Sequence, residues 1–174
     1  DRAEDRSKFS RLLDELGIPQ PQWSKFTSIE EAERFAERVG YPVLVRPSYV
    51  LSGAAMRVAW SKQQLKDYLA RAARVSPEHP VVISKFMEGA LEVEVDGVSD
   101  GERVLIGAVI EHVERAGVHS GDATMVIPPQ RLSEQVVEKV KAHASRIARA
   151  LRIKGPFNIQ FLVKDDEVYV IECN

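Results

Sequence analysis

The sequence predicts an α+β fold made of two lobes, and three observations carry that prediction. Four segments place apolar residues at helical spacing, short runs rich in β-branched and aromatic residues come in pairs around turn signals, and residues 86–90, with Gly89, read as a hinge between two such groupings. With 174 residues, the chain is long enough for one substantial core or for two lobes. Hydrophobic residues make up 44%, charged residues 29%, and the net charge is −2, so no bulk field recruits nucleic acid or an anionic membrane. A polyanionic ligand therefore needs a local site. No apolar run reaches membrane-spanning length, and residues 1–6 are charged rather than signal-like, which points to the cytoplasm or, alternatively, the mitochondrial matrix. Cys173 is the only cysteine, which excludes a disulfide framework and a thiolate zinc site and leaves a small buried apolar residue. The ends look cut, since Asp1 opens directly into a helix and Asn174 closes a strand, as in a segment of a longer polypeptide.

Each element has its own signal. Phe9, Leu12, Leu13 and Leu16 form a helical stripe that Gly17 and Pro19 stop. Ser28 and Glu31 make a capping box ahead of Ala32, Phe35, Ala36 and Val39, with Gly40 as the stop. Residues 43–46 read as a strand, 48–55 as a glycine-containing loop and 56–60 as the return strand. Ser61 and Gln64 repeat the capping box before a helix to about Arg74, and residues 81–85 are a short β-rich run. After the hinge, Leu91, Val93 and Val95 alternate with Glu92, Glu94 and Asp96, giving one apolar and one acidic face. Asp100-Gly101 signals a hairpin whose return strand is 104–111, followed by a polar loop at 111–122 and a strand at 124–127. Val136, Val137, Val140, Ala144, Ile147, Ala148 and Leu151 line the longest helix, capped by Ser133.

Residues 157–164 and 167–173 are a final hairpin, and its register decides where its polar residues meet. A loop of Asp165 and Asp166 alone would pair Gln160 with Ile171 and turn it away from Glu172, because side chains alternate faces. A loop of Asp165, Asp166 and Glu167 pairs Ile159 with Cys173, Phe161 with Ile171 and Val163 with Tyr169, an apolar face throughout. The other face then pairs Leu162 with Val170 and sets Gln160 opposite Glu172 and Asn158 opposite Asn174. Neutral amides with one carboxylate suit magnesium, which takes only one or two carboxylates and completes its shell with water and phosphate; a solvated strand end is the alternative.

Five stretches read together are specific: DRAEDRSKF at 1–9, VRPSYVLSGAAM at 45–56, SKFMEGALEVEVD at 84–96, EHVERAGVHSGD at 111–122 and FNIQFLVKDDEVYVIECN at 157–174. With them the chain resembles, over its whole length, the ATP-grasp domain of carbamoyl phosphate synthetase large subunits. RPSYVLSGAAM and AGVHSGD look like the carboxyl-terminal half of that subunit, which phosphorylates carbamate, whereas the other half phosphorylates bicarbonate. LSGAAM and IECN look like eukaryotic members.

The resemblance implies an ATP-grasp fold of two α+β lobes clamping a nucleotide: a leading helix and linker at 1–20, a small lobe at 21–90 and a large lobe, truncated at its C-terminal end, at 91–174. It implies ATP with Mg2+ or Mn2+ as cofactors, carbamate as the other substrate, and the first synthetase half, a glutaminase and a regulatory domain as partners. Arg6 and Arg46 would contact ATP, Gly53 would let the loop backbone approach phosphate, Lys85 and Met87 would flank the adenine edge, and Glu92 would bind the ribose hydroxyls. Gly117, Val118, His119 and Ser120 would form a loop beside the nucleotide, with Arg46 and His119 as catalytic donors. Gln160, Glu172 and Asn174 match the magnesium positions, and Gln160 and Glu172 also face ATP. Each has a bland counterpart: the arginines as surface charge, Gly53 as an ordinary hairpin glycine, His119 as a loop histidine, Glu94 and Asp96 as solvated charge. His112 and His119 lack a third ligand for zinc. In the family the motif continues past Asn174 into part of the acceptor site, so this segment alone is expected to be inactive. A non-catalytic nucleotide-binding or assembly module and an ATP-grasp ligase of another specificity stay open.

Overall fold

The computed structural model describes residues 6–47, 56–75, 81–117 and 123–174, in two compact units, Pro21–Glu88 and a unit that joins Asp1–Gln20 to Gly89–Asn174. Helix α1 (Arg6–Leu16) belongs to the second of these rather than standing apart as a leader. Its Phe9 and Leu13, with Ile18 just beyond, are buried in that unit's core, and the Pro19 carbonyl accepts from the Val170 N–H at 2.9 Å. The division falls between Glu88 and Gly89, two residues before the expected boundary at 90 and 91.

In Pro21–Glu88, β1 (Trp23–Phe26), α2 (Ile29–Val39), β2 (Val43–Pro47), β3 (Arg57–Ala59), α3 (Lys62–Val75) and β4 (Val81–Lys85) build a four-stranded antiparallel sheet of order β1-β4-β2-β3. Both serine N-caps operate. The Glu31 N–H donates to Ser28 Oγ at 3.4 Å, the Gln64 N–H donates to Ser61 Oγ at 3.3 Å, and the Gln64 side chain accepts from the Trp60 N–H at 2.8 Å. Phe35, Val43, Val45, Leu65, Leu69 and Ile83 centre this unit's core. Strand β1 has no counterpart in the sequence reading. Its four residues, WSKF, lack an apolar alternation, and pairing with β4 is what makes them a strand.

In the second unit, β5 (Leu91–Asp100), β6 (Val104–Arg115), β7 (Met125–Val126), α4 (Glu134–Ala150), β8 (Lys154–Lys164) and β9 (Glu167–Cys173) form a five-stranded antiparallel sheet of order β7-β6-β5-β8-β9 and the helix that covers it. One sheet face is apolar: Leu91, Val93, Val95, Phe157, Ile159, Phe161 and Val163 pack with Val136, Val140, Ala144 and Ile147 of α4. Packing there is close enough to dictate a glycine, since a Cβ on Gly97 would lie 2.4 Å from Phe157 Cζ and 2.9 Å from the Leu105 carbonyl oxygen. The stretch expected to leave β6 as a polar loop at 111 instead continues as strand to Arg115, with Glu111 and His112 only 1% and 6% exposed. Polar residues stay in that strand because each is satisfied inside the fold.

The last hairpin corrects the expected loop. Lys164 pairs with Glu167, so the turn has two residues, Asp165 and Asp166, at φ of 51° and 61°. This mirror-image turn matches the twist of the strands, and aspartate is among the few residues that tolerate it. The register that joins Gln160 to Glu172 arises elsewhere: Phe161 pairs with Val170 and Gln160 with Glu172, leaving Ile171 as the extra residue of a β-bulge. Beyond the bulge, therefore, Val168 and Val170 rather than Tyr169 and Ile171 enter the core, and Leu162 faces Tyr169.

Candidate functional site

The face of the five-stranded sheet opposite the core is polar and densely bonded. Register sets Glu94 beside Gln160 and Asp96 beside Asn158 across β5 and β8, and Gln160 beside Glu172 across β8 and β9. Asn158 and Asn174 exchange backbone hydrogen bonds of 3.0 and 2.8 Å, which carries the polar row to residue 174. The Asn158 amide donates to Glu94 Oε2 and Asp96 Oδ1, both at 2.9 Å, and the Gln160 amide nitrogen lies 3.5 Å from Glu94 Oε1. His112 Nε2 is 2.9 Å from the same Glu94 oxygen, and its Nδ1 is 3.8 Å from Glu92 Oε2. The Asn174 amide donates to Glu172 Oε1 at 3.3 Å.

This arrangement concentrates negative charge. Burial pushes the Glu92 carboxyl above its ordinary range; nearby His112 pulls it down, and the charges of Glu94 and Glu172 push it up again. Burial likewise pushes the Cys173 thiol up to about 11, with the Glu172 charge adding to it, so Cys173 is a packed neutral thiol. Among the described residues, no three His, Cys, Asp or Glu side chains are grouped to hold a metal. The magnesium positions implied by the resemblance, Gln160, Glu172 and Asn174, would offer two amide oxygens and a carboxylate. Such hard neutral oxygens with a single charge fit magnesium or manganese and do not fit zinc.

The expected residues divide between the units. Glu92, Gln160, Glu172 and Asn174 share the polar face just described, and Gly117, at φ 81°, follows the end of β6. Arg46, Lys85 and Met87 lie in Pro21–Glu88. Arg46 Nε approaches Met56 Sδ at 3.4 Å, and the Lys85 ammonium donates to the carbonyls of Gly40 and Tyr41 at 2.8 and 3.1 Å. Lys85 thus neutralises the end of α2 with its side chain. Arg6 opens α1, its side chain outside the described atoms, and Gly53, Val118, His119 and Ser120 lie outside the described residues. Two participants went unread. Glu94, taken as solvated charge, accepts from several donors with its side chain 13% exposed, and His112, weighed only for zinc, is its buried partner. The EVEVD alternation put Glu94 on the face of Glu92; what occupied that face needed three other strands.

The fold and this oxygen-lined sheet face define an ATP-grasp domain. The biotin carboxylase domain of Hydrogenobacter thermophilus 2-oxoglutarate carboxylase, solved with MgADP, ADP and bicarbonate, superposes at a TM-score of 0.83 and 19% identity, over 99% of this chain and 40% of that one. Residues 5–174 match the family described as carbamoyl-phosphate synthase L chain, ATP binding domain, and the chain belongs to that family. The arginine-specific, mitochondrial carbamoyl phosphate synthase large chain of Neurospora crassa is 59% identical over 180 residues, covering 100% of this chain and 15% of that one. The carbamoyl phosphate synthase large chain of Hyperthermus butylicus is 62% identical over 174 residues, covering 100% and 16%. This chain spans about a sixth of the length of the relatives it matches. Among its described residues no helix is long and apolar enough to cross a membrane.

Proposed function

We propose that this chain binds ATP with magnesium and, within a full large chain, phosphorylates carbamate as the carboxyl-terminal synthetase half. In that reaction a carbamate oxygen attacks the γ-phosphorus, the bond to the β-phosphate oxygen breaks, and carbamoyl phosphate and ADP leave. Phosphoryl transfer asks a protein chiefly for positioning and for compensation of charge, so no protein nucleophile is required. Bound magnesium would neutralise phosphate oxygens, held by Gln160, Glu172 and Asn174. Glu92 is read as the acceptor for ribose hydroxyls, Arg46 and His119 as donors to phosphate, and Arg6, Lys85, Met87, Gly117, Val118 and Ser120 as further nucleotide contacts. A first synthetase half, a glutaminase and a regulatory domain are the proposed partners within the large chain or its complex.

The observation that carries this reading is the bulge at Ile171, because without it Glu172 would not stand opposite Gln160. Carboxylate and amide oxygens gathered on one sheet face are then ready for a cation bearing phosphate. Its test is nucleotide binding by the intact large chain with magnesium and with chelator, before and after Glu172→Gln. That change removes the charge and keeps the shape, and should cost about ten- to a hundredfold in affinity with magnesium alone. Equal losses under both conditions would show that Glu172 does not serve a metal.

A further inference from the structure

We propose that Glu94 is a positioning residue for the magnesium site: its carboxylate fixes which end of the Gln160 amide faces the cation. The idea rests on the nucleotide-magnesium reading above and deepens it. A glutamine amide is nearly symmetric in shape and can present either nitrogen or oxygen to a neighbour, yet only the oxygen ligates a hard cation. Something must choose between the two ends.

Strand order makes the choice. β8 lies between β5 and β9, so Gln160 has Glu94 on one side and Glu172 on the other. An ionised carboxylate only accepts hydrogen bonds, so the Gln160 atom 3.5 Å from Glu94 Oε1 must be the NH2 group. With the nitrogen committed to the β5 side, the carbonyl oxygen is the end left for the side of Glu172. Asn158 holds the same carboxylate by its other oxygen, donating to Glu94 Oε2 and also to Asp96 Oδ1 at 2.9 Å each. Glu94 is itself held in place by His112, whose side chain is 8% exposed and whose Nε2 lies 2.9 Å away. The same ring reaches toward Glu92, so one buried histidine ties the proposed ribose acceptor to the residue that orients the proposed metal ligand.

The readout is hydrogen exchange of the peptide covering residues 157–174 in the intact large chain, titrated with ADP plus magnesium and with ADP plus chelator. Glu94→Gln offers an NH2 of its own, which lets the Gln160 amide turn over. The magnesium-dependent protection midpoint should rise by roughly ten- to a hundredfold, as for other residues that orient metal ligands, with the chelated midpoint unchanged. Adding Gln160→Glu to Glu94→Gln should restore the midpoint, because a carboxylate has no wrong end. A role for Glu94 in folding alone would not be rescued this way. An unshifted midpoint in Glu94→Gln, or failure of the double variant to recover, overturns the proposal. If Glu94→Gln loses its cooperative melt, Glu94→Asp decides: it keeps the charge beside His112 but withdraws the acceptor, and an unshifted midpoint there overturns the proposal too. Absence of magnesium-dependent protection in the unsubstituted chain would remove the metal reading itself, and this inference with it.

Discussion

Glu111 and Glu92 are two carboxylates on neighbouring strands of one sheet, and their environments push them in opposite directions. Glu111, on the side of Val93, is 1% exposed, while the Glu92 side chain is 25% exposed on the polar face. Burial raises both. Glu111 is nonetheless held below the ordinary carboxylate range. The Arg131 backbone N–H and guanidinium and the Gln130 N–H all bond it, and the charge of Arg131 adds to them. Arg131 also donates to the Val113 carbonyl at 2.9 Å, fastening the segment after β7 to β6. Among the described residues, His112 pulls the Glu92 carboxyl down while the charges of Glu94 and Glu172 push it up. The hydrogen bonds and the cation that compensate Glu111 mark a carboxylate that holds the fold together, whereas Glu92 has no such set.

Substitutions on the two faces can break that contrast. The largest effect is expected from Arg131→Ala, which strands Glu111 without its cation and should cost about 3 kcal/mol of stability in chemical denaturation. Because the Glu111 pKa is depressed on folding, its contribution is present above the ordinary value of 4.5 and is lost as pH falls through the folded value. The deficit of Arg131→Ala should therefore shrink in acid. A smaller loss, about 1.5 kcal/mol, is expected for His112→Ala, which removes a hydrogen bond to the charged Glu94 but leaves carboxylates that water can reach. A larger loss there than at Arg131 would overturn the assignment of Glu111 as the carboxylate that holds the fold together. The smallest effect has the opposite sign. Glu92 has its pKa raised on folding, so its stabilising contribution is complete below 4.5 and is lost as pH rises through the folded value. Glu92→Gln should therefore raise stability at neutral pH by about 0.5 kcal/mol, with the gain fading in acid, as thermal melts at two pH values would show.

Local chemistry made much of this molecule readable. The caps at Ser28, Ser61 and Ser133 work through hydrogen bonds spanning three residues, and the stripes of α2 and α4 need only helical spacing and an apolar partner surface. The alternation through Leu91, Val93 and Val95 likewise anticipated which side of β5 is buried. What escaped the sequence was set by distant neighbours. WSKF is a strand through its pairing with β4, and Glu111 and His112 stay inside β6 because Arg131 and Glu94 satisfy them.

The last hairpin separates the two kinds of information most clearly. Its residues predict a turn over Asp165, Asp166 and Glu167 with Gln160 opposite Glu172. The pairing of Gln160 with Glu172 holds, but the turn is Asp165 and Asp166 alone, and the expected apolar pairs of Phe161 with Ile171 and Val163 with Tyr169 give way to Phe161 with Val170 and Val163 with Val168. How the chain reaches that register was decided in three dimensions. Favourable strand twist selected the two-residue turn, and core packing then required one surplus residue to be absorbed at Ile171, because Val168, Val170 and Cys173 are the side chains that fill the apolar face. A bulge carries no local signature comparable to a cap or a stripe, since its position depends on which side chains the rest of the sheet and α4 leave room for.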